Sequence, residues 1–68
     1  MTLSVHVNGD QTVLEAGTTV ADVVGTLSGG GRGTAVARNG EVVPRSLWAR
    51  TQLDDGDRVE VLTAAQGG

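Results

Sequence analysis

The 68-residue chain has no cysteine, no lysine, no tyrosine and no phenylalanine, and it carries only one proline, one tryptophan and one histidine. Without cysteine there is no disulfide, no thiolate metal site, no dithiol redox motif and no thiol nucleophile. Without lysine there is no side-chain amine for Schiff-base chemistry or for receiving an isopeptide bond. The apolar runs are only a few residues long, far short of a membrane span. Met1-Thr2-Leu3-Ser4 lacks the charged and apolar regions of a signal peptide, so a cytoplasmic protein is expected. The five basic residues are all arginine and lie apart, against eight acidic ones, for a net charge of −3. That leaves neither a basic stripe nor aromatic platforms for nucleic acid. A chain this short forms one domain and removes only about 60 % of its unfolded surface from water. It encloses little volume, so any chemistry it joins takes place as a substrate or carrier on a larger enzyme.

What is present is strongly patterned. Leu3, Val5 and Val7 alternate with Thr2, Ser4 and His6, the period of a strand with one buried face. Asn8-Gly9 takes the positive φ angles of a tight hairpin turn, and Thr12-Val13-Leu14 is the returning strand. A short helix follows. Thr18 or Thr19 caps it, Asp22 completes a capping box with Thr19, and Val20, Val23, Val24 and Leu27 form one apolar stripe. The glycine-rich run from Gly29 to Gly33 stops it. Thr34–Arg38 is a strand, Asn39-Gly40 a second hairpin signal, and Glu41-Val42-Val43 its partner, ended by Pro44. A single helical turn at residues 46–50 carries Trp48 as a clamp on the core edge. After a turn at residues 54–57, residues 58–62 form the last strand with Val59 and Val61 inward. This order predicts an α+β roll of the ubiquitin-like, β-grasp type: a mixed sheet with one helix across one face. Residues 1–62 make the domain and residues 63–68 a flexible tail ending Gly-Gly.

Several signals have plain explanations. The glycine run follows a helix, whereas phosphate cradles precede one, so it reads as a loop. Asp54, Asp55 and Asp57 lack the other ligands of a calcium loop and read as a solvated turn. His6 has no nucleophile partner by spacing and reads as a solvent-facing strand residue. Val13 and Leu62 fall on the solvent face. They are either ordinary exposed residues or, where register brings them together, a docking patch for a partner. The terminal Gly67-Gly68 suits a carboxylate threaded through a narrow channel, because residues without Cβ need little clearance. From Thr63 to Gly68 the tail reaches up to about 20 Å at roughly 3.3 Å per residue.

The run from Val36 through Arg38-Asn39-Gly40-Glu41-Val42-Val43-Pro44-Arg45, then Trp48, Thr51 and Leu53, then Asp55-Gly56-Asp57, Val59-Glu60-Val61 and Gly67-Gly68, resembles the ThiS family of sulfur carriers in thiamine biosynthesis. Ala16-Gly17-Thr18-Thr19-Val20 agrees more loosely. The resemblance implies a carrier and not an enzyme, with no catalytic residue, bound cofactor or metal of its own. It implies that an adenylating enzyme (ThiF-like) uses ATP and magnesium to convert the Gly68 carboxylate to an acyl-adenylate. Sulfur from a donor such as a cysteine desulfurase then yields a thiocarboxylate, which passes sulfur to a thiazole synthase (ThiG-like). Gly68 is the sulfur-carrying residue and Gly67 gives it clearance. The alternatives are a carrier for a molybdopterin or cysteine pathway, a ubiquitin-like protein modifier, and an interaction module in which the glycine pair is incidental.

Replacing Gly67 by valine, or adding a residue after Gly68, is expected to abolish thiocarboxylate formation while the fold survives. Intact mass after ATP-dependent sulfur loading checks this; normal loading of either variant contradicts it.

Overall fold

A computed structural model describes residues 1–28 and 33–63. Five strands and one α-helix follow in the order β1 (Thr2–Val7), β2 (Asp10–Glu15), α1 (Val20–Ser28), β3 (Thr34–Arg38), β4 (Glu41–Val42) and β5 (Arg58–Thr63), with a 3-10 helix at Arg45–Arg50 between β4 and β5. The sheet order is β2-β1-β5-β3-β4. The last strand therefore lies at the centre, parallel to β1 and antiparallel to β3. This is the β-grasp arrangement that the sequence predicts. No helix among the described residues is long and apolar enough to cross a membrane.

Both Asn-Gly pairs form their turns, with φ of 52° and 88° at Asn8-Gly9 and 51° and 86° at Asn39-Gly40. Such angles match the twist of flanking strands in two-residue hairpins. The helix starts on a reciprocal capping box: the Thr19 N–H donates to Asp22 Oδ2 (3.0 Å) and the Asp22 N–H to Thr19 Oγ1 (3.2 Å). Two further backbone bonds fix where the helix begins. The Val20 N–H donates to the Thr51 carbonyl (2.9 Å), and the Leu53 N–H donates to that of Thr18 (3.0 Å).

The core consists of Val5, Val7, Val20, Val23, Val24, Val36, Val59 and Val61 with Leu53 and Trp48. Valines are compact, and Trp48 is the largest side chain among these buried residues. Its indole Nε1–H donates to the Val43 carbonyl (2.8 Å), and the Arg45 guanidinium lies 5.5 Å from its ring centre. Leu27, expected in the helix stripe, is 53 % exposed. It borders an open groove of about 330 Å³ with Val7, Thr12, Leu14 and Val23. Strand β4 is also one residue shorter than expected. Val43 still donates to Val36 (2.8 Å), but Pro44 has no N–H with which to continue the ladder. At the other end, β5 runs on to Thr63, paired with Thr34, and so takes in the residue expected to head the tail.

The largest departure concerns Asp57. Expected in a solvated turn, it is 6 % exposed and sits at a built corner. Its carboxylate accepts from Arg38 Nε (2.8 Å), Asn39 Nδ2 (3.0 Å) and the Asp54 N–H (2.8 Å). Arg38 also pairs with Asp54 (3.0 Å), and Asp55 Oδ1 accepts from the Ser4 N–H (2.7 Å). Burial pushes the Asp57 pKa up, but the Asp54 N–H, the Asn39 amide and the Arg38 guanidinium outweigh it and hold the carboxyl below its ordinary value. The same hydrogen bond to Asp57 raises the pKa of Arg38, against the opposing effect of burial.

A folded-state pKa below the unfolded value of 3.8 means that the unfolded chain binds the proton more readily. The stabilisation is therefore complete above about pH 4 and drains away as pH falls through the folded pKa. Asp57→Asn is expected to cost about 2 kcal/mol at pH 7 and to flatten the loss of stability below pH 4. Urea unfolding at a series of pH values measures both.

Candidate functional site

The site is built around the last residues of β5. Val59 and Val61 are buried, so strand alternation turns Arg58, Glu60 and Leu62 to the opposite face, away from the helix. Register then decides which side chains meet there. Leu62 lies opposite Ala35, Glu60 opposite Ala37, and Ala37 opposite Val42 on the far side of β3. Leu62, Ala35, Ala37 and Val42 thus form an apolar band across β5, β3 and β4, with Leu62 70 % and Val42 76 % exposed. Glu60 sits inside it and Arg58 at its edge. Apolar side chains gathered in this way form a surface suited to docking, while the two charges beside them restrict which partners fit.

Val13 is also exposed, at 67 %, and on the same face, but the register keeps it away from Leu62. Val13 pairs with Ser4, two residues before His6, whereas Leu62 lies four residues beyond Arg58, the partner of His6. The offset amounts to about 20 Å along the strands at roughly 3.3 Å per residue. The two do not form one patch. The partners of Leu62 are Ala35, Ala37 and Val42, which the sequence reading passed over; the alternation of Ala35 and Ala37 with buried Val36 was the available signal.

His6 is exposed, and its neighbours across the sheet are Arg58 and Gln11. In the Asp54–Asp57 corner the Arg38 guanidinium pairs with both Asp54 and Asp57. Among the described residues no cluster of three or more histidine, aspartate or glutamate side chains is placed to hold a metal. The glycines at 29–31, and Gly67 and Gly68, lie outside the described residues.

Comparison with known proteins adds a second line of support. The ThiS family model matches residues 4–68. The chain is 36 % identical over 53 residues to the sulfur carrier protein ThiS of Escherichia coli, spanning 78 % of this chain and 80 % of that one. It is 37 % identical over 62 residues to a thiazole synthase of Paramagnetospirillum magneticum, covering 91 % of this chain but only 19 % of that much longer protein. The crystal structure of a thiamine biosynthesis protein (ThiS) from Geobacter metallireducens superposes with a TM-score of 0.78 at 29 % identity, over 97 % of this chain and all of that one.

If the band faces solvent as described, Leu62→Asp and Val42→Asp each cost about 1 kcal/mol or less. Val61→Asp, one position away but facing the core, should unfold the protein. Circular dichroism with urea titration separates the two outcomes.

Proposed function

The chain belongs to the ThiS family, and on that premise we propose that it is a sulfur carrier of thiamine biosynthesis whose Gly68 carboxylate receives and delivers the sulfur. The observation that carries this reading is a family match that runs through Gly67-Gly68, with the β-grasp body intact behind it. The likeness to part of a thiazole synthase supports such an enzyme as the consumer of the sulfur.

The chemistry follows from the carboxylate. With an unperturbed pKa of about 3.5 it is ionised at neutral pH and a poor electrophile. An adenylating enzyme supplies ATP and magnesium: a carboxylate oxygen attacks the α-phosphorus, pyrophosphate leaves, and the acyl carbon now bears AMP as a good leaving group. A persulfide sulfur from a desulfurase-fed donor attacks that carbon and expels AMP. A thiol then reduces the resulting acyl disulfide, leaving the thiocarboxylate, whose sulfur is the nucleophile offered to thiazole synthase. We place the catalytic groups for these steps on the partner enzymes. The carrier contributes the reacting carboxylate of Gly68, the small profile of Gly67, and a folded body held by its apolar band. Leu62 is the docking residue nearest the tail; the position of Val13 on the edge strand sets it apart from that contact. The proposal includes a cytoplasmic location, where ATP and a desulfurase are at hand.

Incubation with the cognate adenylating enzyme, ATP, magnesium and a persulfide donor is expected to exchange one oxygen of the wild-type chain for sulfur, read by intact mass. Leu62→Asp slows loading about tenfold or more, the loss expected on burying an unpaired charge in an interface, while Val13→Asp loads normally. A wild-type mass that stays unchanged refutes the carrier reading.

A further inference from the structure

β1 and β5 run parallel for only two register pairs, His6 with Arg58 and Val7 with Val59. In a parallel ladder, alternate residues of one strand donate to and accept from the other. The His6 N–H donates to Asp57 O (2.9 Å) and the Asn8 N–H to Val59 O (2.9 Å), so the next rung is due from the Val61 N–H to the Asn8 backbone. At Asn8, however, the chain enters the hairpin turn with φ of 52° and leaves the sheet. The side chain takes over: Asn8 Oδ1 accepts from the Val61 N–H at 2.8 Å. Asparagine combines tolerance of positive φ with an acceptor at the right reach.

We infer that Asn8 is a positioning residue for the sulfur-carrying terminus: its side-chain oxygen adds a rung to the β1–β5 ladder beyond the point where β1 turns away. That rung holds Val61, the last buried residue of β5, and so sets Leu62 on the docking face and the end of the strand behind it. On the other edge β3 pairs with β5 as far as Thr63. With Asn8 in place, the strand end is gripped on both sides; without it, only β3 holds it. The inference rests on the carrier reading, since it concerns how the body and the terminus are presented together to an enzyme.

Two variants separate the side-chain oxygen from the turn. Asn8→Gly keeps the left-handed backbone without strain and removes the acceptor, whereas Asn8→Asp keeps an acceptor oxygen. In Asn8→Gly the Val61 amide is expected to exchange with solvent about five- to tenfold faster, the loss of one hydrogen bond, with Val59 unchanged. In ATP-dependent loading by the adenylating enzyme, followed by intact mass at temperatures where all variants are folded, the KM for the carrier rises about fivefold while kcat holds. Asn8→Asp restores both values. Unchanged KM in Asn8→Gly, or Asn8→Asp as impaired as Asn8→Gly, overturns the inference. A wild-type chain that takes no sulfur overturns the carrier reading and this inference with it, and is told apart by the wild-type control alone.

Discussion

The fold depends on a strand from the end of the chain occupying the middle of the sheet. β5 has β1 on one side and β3 on the other, and each neighbouring hairpin turn reaches over to it. Asn39 Oδ1 accepts from the Arg58 N–H (2.9 Å) and the Asn39 N–H donates to the Arg58 carbonyl (2.8 Å), just as Asn8 engages Val59 and Val61 from the opposite edge. Two asparagines at positive φ thus also satisfy backbone groups where their own strands have ended. The sheet cannot be completed until the final strand is inserted, so β5 is held by hydrogen bonds from both neighbours.

The polar corner at the start of β5 shows how a thin core tolerates a charge. Removing a carboxylate from water is costly unless it is paired and hydrogen-bonded. Asp57 meets that condition with a guanidinium, an amide and a backbone N–H. Every donor comes from a turn or strand end that has to be pinned anyway: Arg38 and Asn39 from the β3–β4 hairpin, Asp54 from the loop entering β5. A salt bridge in water contributes little, but here the ion pair joins segments far apart in sequence around a carboxylate that is almost fully covered.

Local features were legible in the residues. Positive-φ turns at Asn8-Gly9 and Asn39-Gly40, the Thr19–Asp22 box, and the inward valines of β1 and β5 all follow from short-range chemistry, and the overall order of elements follows from them. Asp57 was misread because its neighbours look like a loop, although it keeps the same parity as Val59 and Val61 and Arg38 keeps that of Val36. Leu27 shows the limit of helical periodicity, which identifies a face but not what covers each residue on it. The candidate site divides in the same way. The outward direction of Leu62 was readable, and the Asn39-Gly40 hairpin sets Val42 beside Ala37, but the pairing of Leu62 with Ala35 needs the long-range β3–β5 register, and its separation from Val13 needs the β1–β5 register between the two halves of the chain.

Trp48 gives the molecule a built-in optical label. It is the only strong ultraviolet fluorophore in the chain, buried on the helix side of the sheet with its indole proton committed to Val43. Its emission therefore follows the integrity of the interior, while a protein seated on the outer face, across the sheet, does not contact the ring. Spectral red-shift therefore reports opening of the domain in an unmodified sample of the chain alone.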